Sequence, residues 1–147
     1  MVLSTHIADQ ISLSSPMLGD FLTLDQVPDP AFSQKLVGDG VAIDPVDGRL
    51  YAPCAGVVTL IHPSHHAISL KTDDEIEVLM HIGIDTVKLK GKGFNVQVKE
   101  GQRVSAGDLL IMFDLDYVAQ HAVSMVTPIL ITNLEQVTNL FLPSQIS

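Results

Sequence analysis

Six histidines occur in a chain of 147 residues that carries two tyrosines, five phenylalanines and no tryptophan. Imidazole is the side chain whose ordinary pKa lies nearest neutrality, which suits it to act as nucleophile, acid, base or metal ligand. Three of the six stand in the run Ile61-His62-Pro63-Ser64-His65-His66-Ala67-Ile68, and a fourth lies in Leu79-Met80-His81-Ile82-Gly83-Ile84-Asp85-Thr86-Val87-Lys88-Leu89. His81 ends an apolar stretch and is followed at Gly83 by a residue that lets the backbone turn and leaves space around the ring. A nucleophilic imidazole must be neutral, held in one tautomer and open on one edge. A backbone carbonyl or carboxylate on one ring nitrogen does this, leaving the other free to attack phosphorus or bind a metal. If residues 62–67 are extended, alternation sends His65 and His66 to opposite faces, so at most one of that pair joins His81. Cys54 reads as a small core residue, and His6 and His121 have no assigned role.

The elements that must position these side chains are short and mostly β. Gly, Pro and Asp-Gly signals recur at Pro16, Pro28, Pro30, Gly38, Gly40, Pro45, Gly48, Pro53, Gly56, Gly91, Gly93, Gly101, Gly107 and Pro128, and the intervals are rich in Val, Ile, Leu and Thr. Strands are predicted at residues 11–14, 19–23, 41–45, 48–51, 56–61, 67–71, 77–82, 94–98, 103–104, 108–114 and 128–132. The runs 78–80 and 109–113 are continuously apolar, as burial on both faces requires. Short helices are predicted at 29–35, 116–123 and 133–140, the last from apolar Leu134, Val137 and Leu140. This spells a compact antiparallel β-sandwich of duplicated, hybrid-motif type with a few short helices. Residues 1–10 form an N-terminal extension and 11–147 a single domain.

Composition narrows the function classes. Seventeen acidic against eight basic side chains give a net charge of −9, which repels nucleic-acid phosphates and anionic lipid headgroups. The single cysteine forms no internal disulfide and points to a reducing compartment. No uncharged run approaches the roughly 18 residues of a membrane span, and residues 1–10 lack a basic leader. A cytoplasmic protein without direct membrane insertion is expected. No G-x-x-x-x-G-K-[ST] phosphate-binding loop occurs.

Taken together, Ala52-Pro53 with Gly56, then His66-Ala67, then His81-Ile82-Gly83-Ile84-Asp85-Thr86-Val87 resemble the glucose-type enzyme IIA (EIIA) domains of the bacterial sugar phosphotransferase system. Val37-Gly38-Asp39-Gly40-Val41-Ala42-Ile43, Leu89-Lys90-Gly91-Lys92-Gly93-Phe94, Glu100-Gly101-Gln102-Arg103-Val104 and Thr127-Pro128-Ile129 extend the likeness over roughly residues 11–140. The resemblance implies a phosphocarrier. His81 would accept a phosphoryl group from the histidine-containing carrier HPr and pass it to a cysteine of a sugar-specific EIIB domain, with His66 beside it and needed for onward transfer. It also implies phosphoryl-site support from Ser64, standing where the family usually has threonine and keeping its hydrogen bond. Asp39 and Asp85 would be rim acids that meet a basic partner. No cofactor is required, although His66 and His81 can supply two ligands to an intermolecular zinc. His62 departs from the family by replacing an apolar residue of the docking face. The end at residues 142–147 departs too, because the family's last glycine-containing strand is missing.

Two other readings compete. A regulatory module would bind permeases or metabolic enzymes according to the phosphorylation state of His81. A LytM-like zinc hydrolase would use the H-x-x-x-D spacing of His81 and Asp85. That reading lacks the H-x-H pair such peptidases carry, and a catalytic zinc needs about three protein ligands.

Overall fold

The computed structural model describes residues 2–5, 10–133 and 137–141, with side chains from residue 13 to residue 133. Its strands are β1 (Val2–Thr5), β2 (Gln10–Ser12), β3 (Gly19–Leu22), β4 (Asp39–Pro45), β5 (Arg49–Tyr51), β6 (Gly56–Ile61) and β7 (Ala67–Lys71). They continue with β8 (Glu77–His81), β9 (Phe94–Val96), β10 (Arg103–Val104), β11 (Leu109–Phe113), β12 (Thr127–Ile131) and β13 (Val137–Phe141). Helices α1 (Pro30–Ser33) and α2 (Leu115–His121) are short, and 3-10 turns lie at Leu24–Gln26 and Thr86–Leu89.

Every strand pair is antiparallel. A seven-stranded sheet runs in the order β10-β6-β7-β8-β12-β4-β3, and three-stranded sheets run β5-β11-β9 and β13-β1-β2. The main core gathers Val41, Ile43, Ile68, Leu70, Val78, Met80, Ile129 and Ile131 from the large sheet with Leu50, Phe94, Ile111 and Phe113 from the β5-β11-β9 sheet. On the opposite face, Ala42 and Leu130 join Leu24, Val27, Phe32 and Ile84 in a second cluster. Period-two alternation therefore feeds two cores from one pair of strands, and β12 is buried along its whole length. Burial of the predicted run 109–113 is less complete, because Met112 is 43% exposed.

Asp114 starts α2 by accepting a hydrogen bond from Tyr117 N at 3.1 Å, and Asp29 starts α1 by accepting one from Ala31 N at 2.9 Å. The helix predicted over 133–140 does not form across its second half. Residues 137–141 are strand β13, which lies against β1 with Val2 opposite Phe141 and Leu3 opposite Leu140. Residues 134–136 of that prediction, the end at 142–147 and His6 lie outside the described residues. Among the described residues no helix is long and apolar enough to cross a membrane.

Candidate active site

The site grows from the hairpin of β7 and β8. Antiparallel register sets Ala67 opposite His81, and beyond the ladder Ile82 N donates to His66 O at 2.8 Å. Strict alternation would send His66 to the face away from His81. The segment before Ala67 is not extended, however: His65 N donates to His62 O at 2.8 Å, and His65 has φ +64°. This turn brings the His66 ring edge-on to that of His81, with centroids 4.7 Å apart. The His62 ring also contacts His66, with centroids 4.5 Å apart. His65 stays exposed against Gly91, where an added Cβ would stand 3.6 Å from its Nδ1. Of the adjacent pair only His66 reaches His81, through a turn and not through alternation.

His81 is held by its backbone neighbours. Its Nδ1 lies 2.8 Å from the Gly83 carbonyl, an acceptor that places the ring proton on Nδ1 and leaves a lone pair on Nε2. Gly83 can offer that carbonyl because its φ is +71°, and a Cβ there would come 2.8 Å from Thr86 Cγ2. Gly83 N donates to Thr127 Oγ1 at 3.2 Å, and the buried Thr86 hydroxyl donates to Ile82 O at 2.7 Å. The Phe32 ring lies 5.1 Å from the His81 ring. Burial lowers the His81 pKa, while the hydrogen bond to Gly83 and the charge of Asp29 oppose that shift.

His66 differs. It is 2% exposed, and its buried Nδ1 has no hydrogen-bond partner. Burial, then the neighbouring His81 and His62, push its pKa down to about 4, with the Ser64 backbone opposing the shift without completing a hydrogen bond to Nδ1. The hydroxyl bond expected from Ser64 is therefore not made. Instead the Ser64 backbone N–H donates to His62 Nδ1 at 3.0 Å.

The two acids expected at the rim lie on different elements. Asp39 is opposite Ile131, which is opposite Val78, three residues before His81 on β8. It pairs with Lys35 at 3.5 Å and borders a cleft of about 270 Å³ lined by Thr23, Leu24, Asp25, Lys35 and Gly40. Asp85 begins the 3-10 turn at φ +63° and pairs with Lys88 at 3.0 Å. Sequence reasoning missed Phe32 and Asp29 as neighbours of His81, although Asp29-Pro30 is a helix-start signal that α1 fulfils. Cys54 is buried, its thiol pushed up to about 11, and His121 packs on Tyr117 within α2.

Among the described residues no three His, Cys, Asp or Glu side chains form a group placed to hold a metal ion. His66 and His81 alone offer two of the roughly four ligands of a structural zinc and fall short of the three a zinc hydrolase needs.

Comparison with known proteins bears on the fold and the family. The solved structure of glucose permease IIA from Mycoplasma capricolum superimposes with a TM-score of 0.82 at 40% identity, over 84% of this chain and 80% of that one. Helicobacter pylori Csd3 shares the fold alone: its TM-score is 0.51 at 9% identity, over 95% of this chain and 41% of that one. Residues 11–137 match the family described as phosphoenolpyruvate-dependent sugar phosphotransferase system, EIIA 1. The chain belongs to this EIIA family and is a phosphocarrier component of sugar phosphotransfer.

Proposed function

We propose that His81 Nε2 accepts a phosphoryl group from HPr and delivers it to a cysteine of an EIIB domain, in the cytoplasm. The observation that carries this reading is the 2.8 Å contact from His81 Nδ1 to Gly83 O, which leaves Nε2 as the nucleophilic edge. As the Nε2–P bond forms, the bond from phosphorus to the donor imidazole breaks and its electron pair stays with the donor. Positive charge then grows on the His81 ring, and the Gly83 carbonyl stabilises it through Nδ1–H. Phosphoryl transfer asks for little beyond an in-line nucleophile and charge compensation, so no cofactor is needed.

His66 is the neighbour that steadies the group. Kept neutral by burial, it has one nitrogen without a partner; in this reading the Ser64 hydroxyl, which makes no bond to it at rest, turns to donate to it when the group arrives. A hydrogen bond donated to His66 Nδ1 leaves the other ring nitrogen as an N–H donor toward a phosphoryl oxygen. Asp39 and Asp85 exchange their exposed lysine partners for basic groups on HPr, an exchange that costs little because such pairs are weak.

Incubation with phosphoenolpyruvate, enzyme I and HPr tests the reading. Wild type takes up one acid-labile phosphate, His81→Ala takes none, and His66→Gln is labelled but fails to phosphorylate an EIIB domain. Label that persists in His81→Ala overturns the assignment.

A further inference from the structure

The third imidazole of the cluster has no place in that account. His62 stands in ring contact with His66, at 4.5 Å, as His66 does with His81, at 4.7 Å. Its charged form acts on both neighbours, lowering the pKa of each, so it lies within electrostatic reach of the whole site. The hydrogen bonds of His62 and His81 are mirror images. His81 Nδ1 faces a carbonyl and keeps its proton, so Nε2 holds a lone pair. His62 Nδ1 accepts a hydrogen bond from Ser64 N–H, so the neutral ring must carry its own proton on Nε2. One ring is set to attack and the other to donate. Nδ1 is anchored to the backbone of its own turn, which leaves Nε2–H as the edge of this half-buried side chain that is free to donate.

We infer that His62 is a phosphoryl-binding residue whose Nε2–H donates to an oxygen of the group carried on His81, stabilising the phosphorylated form. This rests on His81 being the acceptor. No proton moves to the phosphoryl group: Nε2–P forms on His81, the donor's N–P bond breaks, and His62 adds one hydrogen bond to an anionic oxygen. Hydrogen bonds to charged groups are the strong ones. The chain thereby places a polar donor where an apolar residue would serve only to exclude water.

The test is the equilibrium share of phosphate between HPr and the full chain, with 32P from phosphoenolpyruvate and catalytic enzyme I. His62→Phe keeps a ring and removes the donor, and should lower the share on His81 by about 10-fold. His62→Gln keeps an N–H and should return to within about threefold of wild type. In wild type, the 15N signals of His62 should report the Nε2–H tautomer and shift at Nε2 on phosphorylation. A share unchanged in His62→Phe, or equal losses in both variants, overturns the donor role, the second pointing to ring packing alone. An unlabelled wild type overturns the acceptor reading itself, which separates the two failures.

Discussion

Two turns, each carrying a histidine, meet at the end of one hairpin and are built on opposite plans. Around His81 the groups at Gly83 and Thr86 are bonded: Nδ1 to Gly83 O, Gly83 N to Thr127 and Thr86 to Ile82 O. Across the hairpin, the turn holding His62 and His66 keeps a positive-φ histidine and a buried nitrogen without a partner. An unsatisfied buried polar atom costs about 1–3 kcal/mol, so it persists where a ligand or a moving neighbour will meet it. The difference teaches that the His81 ring is fixed in place by its own turn, whereas the His66 ring beside it keeps a nitrogen open, as the proposed transfer asks.

The strongest way to break this contrast is to disturb the ordered side. Gly83→Ala puts a Cβ at φ +71°, 2.8 Å from Thr86 Cγ2 and 3.2 Å from Ser124 O. Left-handed backbone plus crowding should cost roughly 2–3 kcal/mol in chemical denaturation. Phosphate uptake should fall with it, because the carbonyl that fixes the His81 tautomer moves. Wild-type stability in this variant would show that the turn is not set by the glycine.

A second measurement sharpens the open side. Histidine NMR titration should place the His66 midpoint at about 4 and that of His81 below 6.5. Between 6.5 and about 4 the unfolded chain binds a proton at residue 66 that the native chain does not. Stability must therefore drop as pH falls through this window, and the penalty is complete once the native ring is also protonated. A His66 midpoint near 6.5 would contradict the burial argument. The smallest effect is expected at the rim. Asp85→Asn suits a left-handed residue and removes only an exposed ion pair, so stability should stay within about 0.5 kcal/mol. Transfer from HPr should slow at low salt, with the difference from wild type closing at high salt; a salt-independent ratio would remove Asp85 from the docking surface.

Much of this was legible locally. The strands at 56–61, 67–71 and 103–104 have the predicted limits, because glycine and proline turns bound short β-branched runs. The segment 137–141 was not, since three apolar residues at i, i+3 and i+6 fit a helix until β1 arrives as a pairing partner from the other end of the chain. Residues 2–5, read as part of an extension, are the middle strand of that sheet for the same reason. At the site, His66 and His81 were marked by their motifs. Phe32 and Asp29 were not, because only packing across the second core brings α1 to His81.

The sequence by itself determined the residue types: an imidazole before a glycine that can turn, a second imidazole before a strand, and acids in excess. It also determined the local turns, because φ preferences and side-chain caps act over a few residues. Which imidazoles touch, and which nitrogen of each is free, the tertiary structure decided. The register of β7 on β8 and the irregular turn at 62–66 set the His66 ring against that of His81, a contact between residues 15 positions apart in the chain. No local preference encodes such a contact. It exists because two cores fix the sheet on both faces and hold the hairpin end still between them.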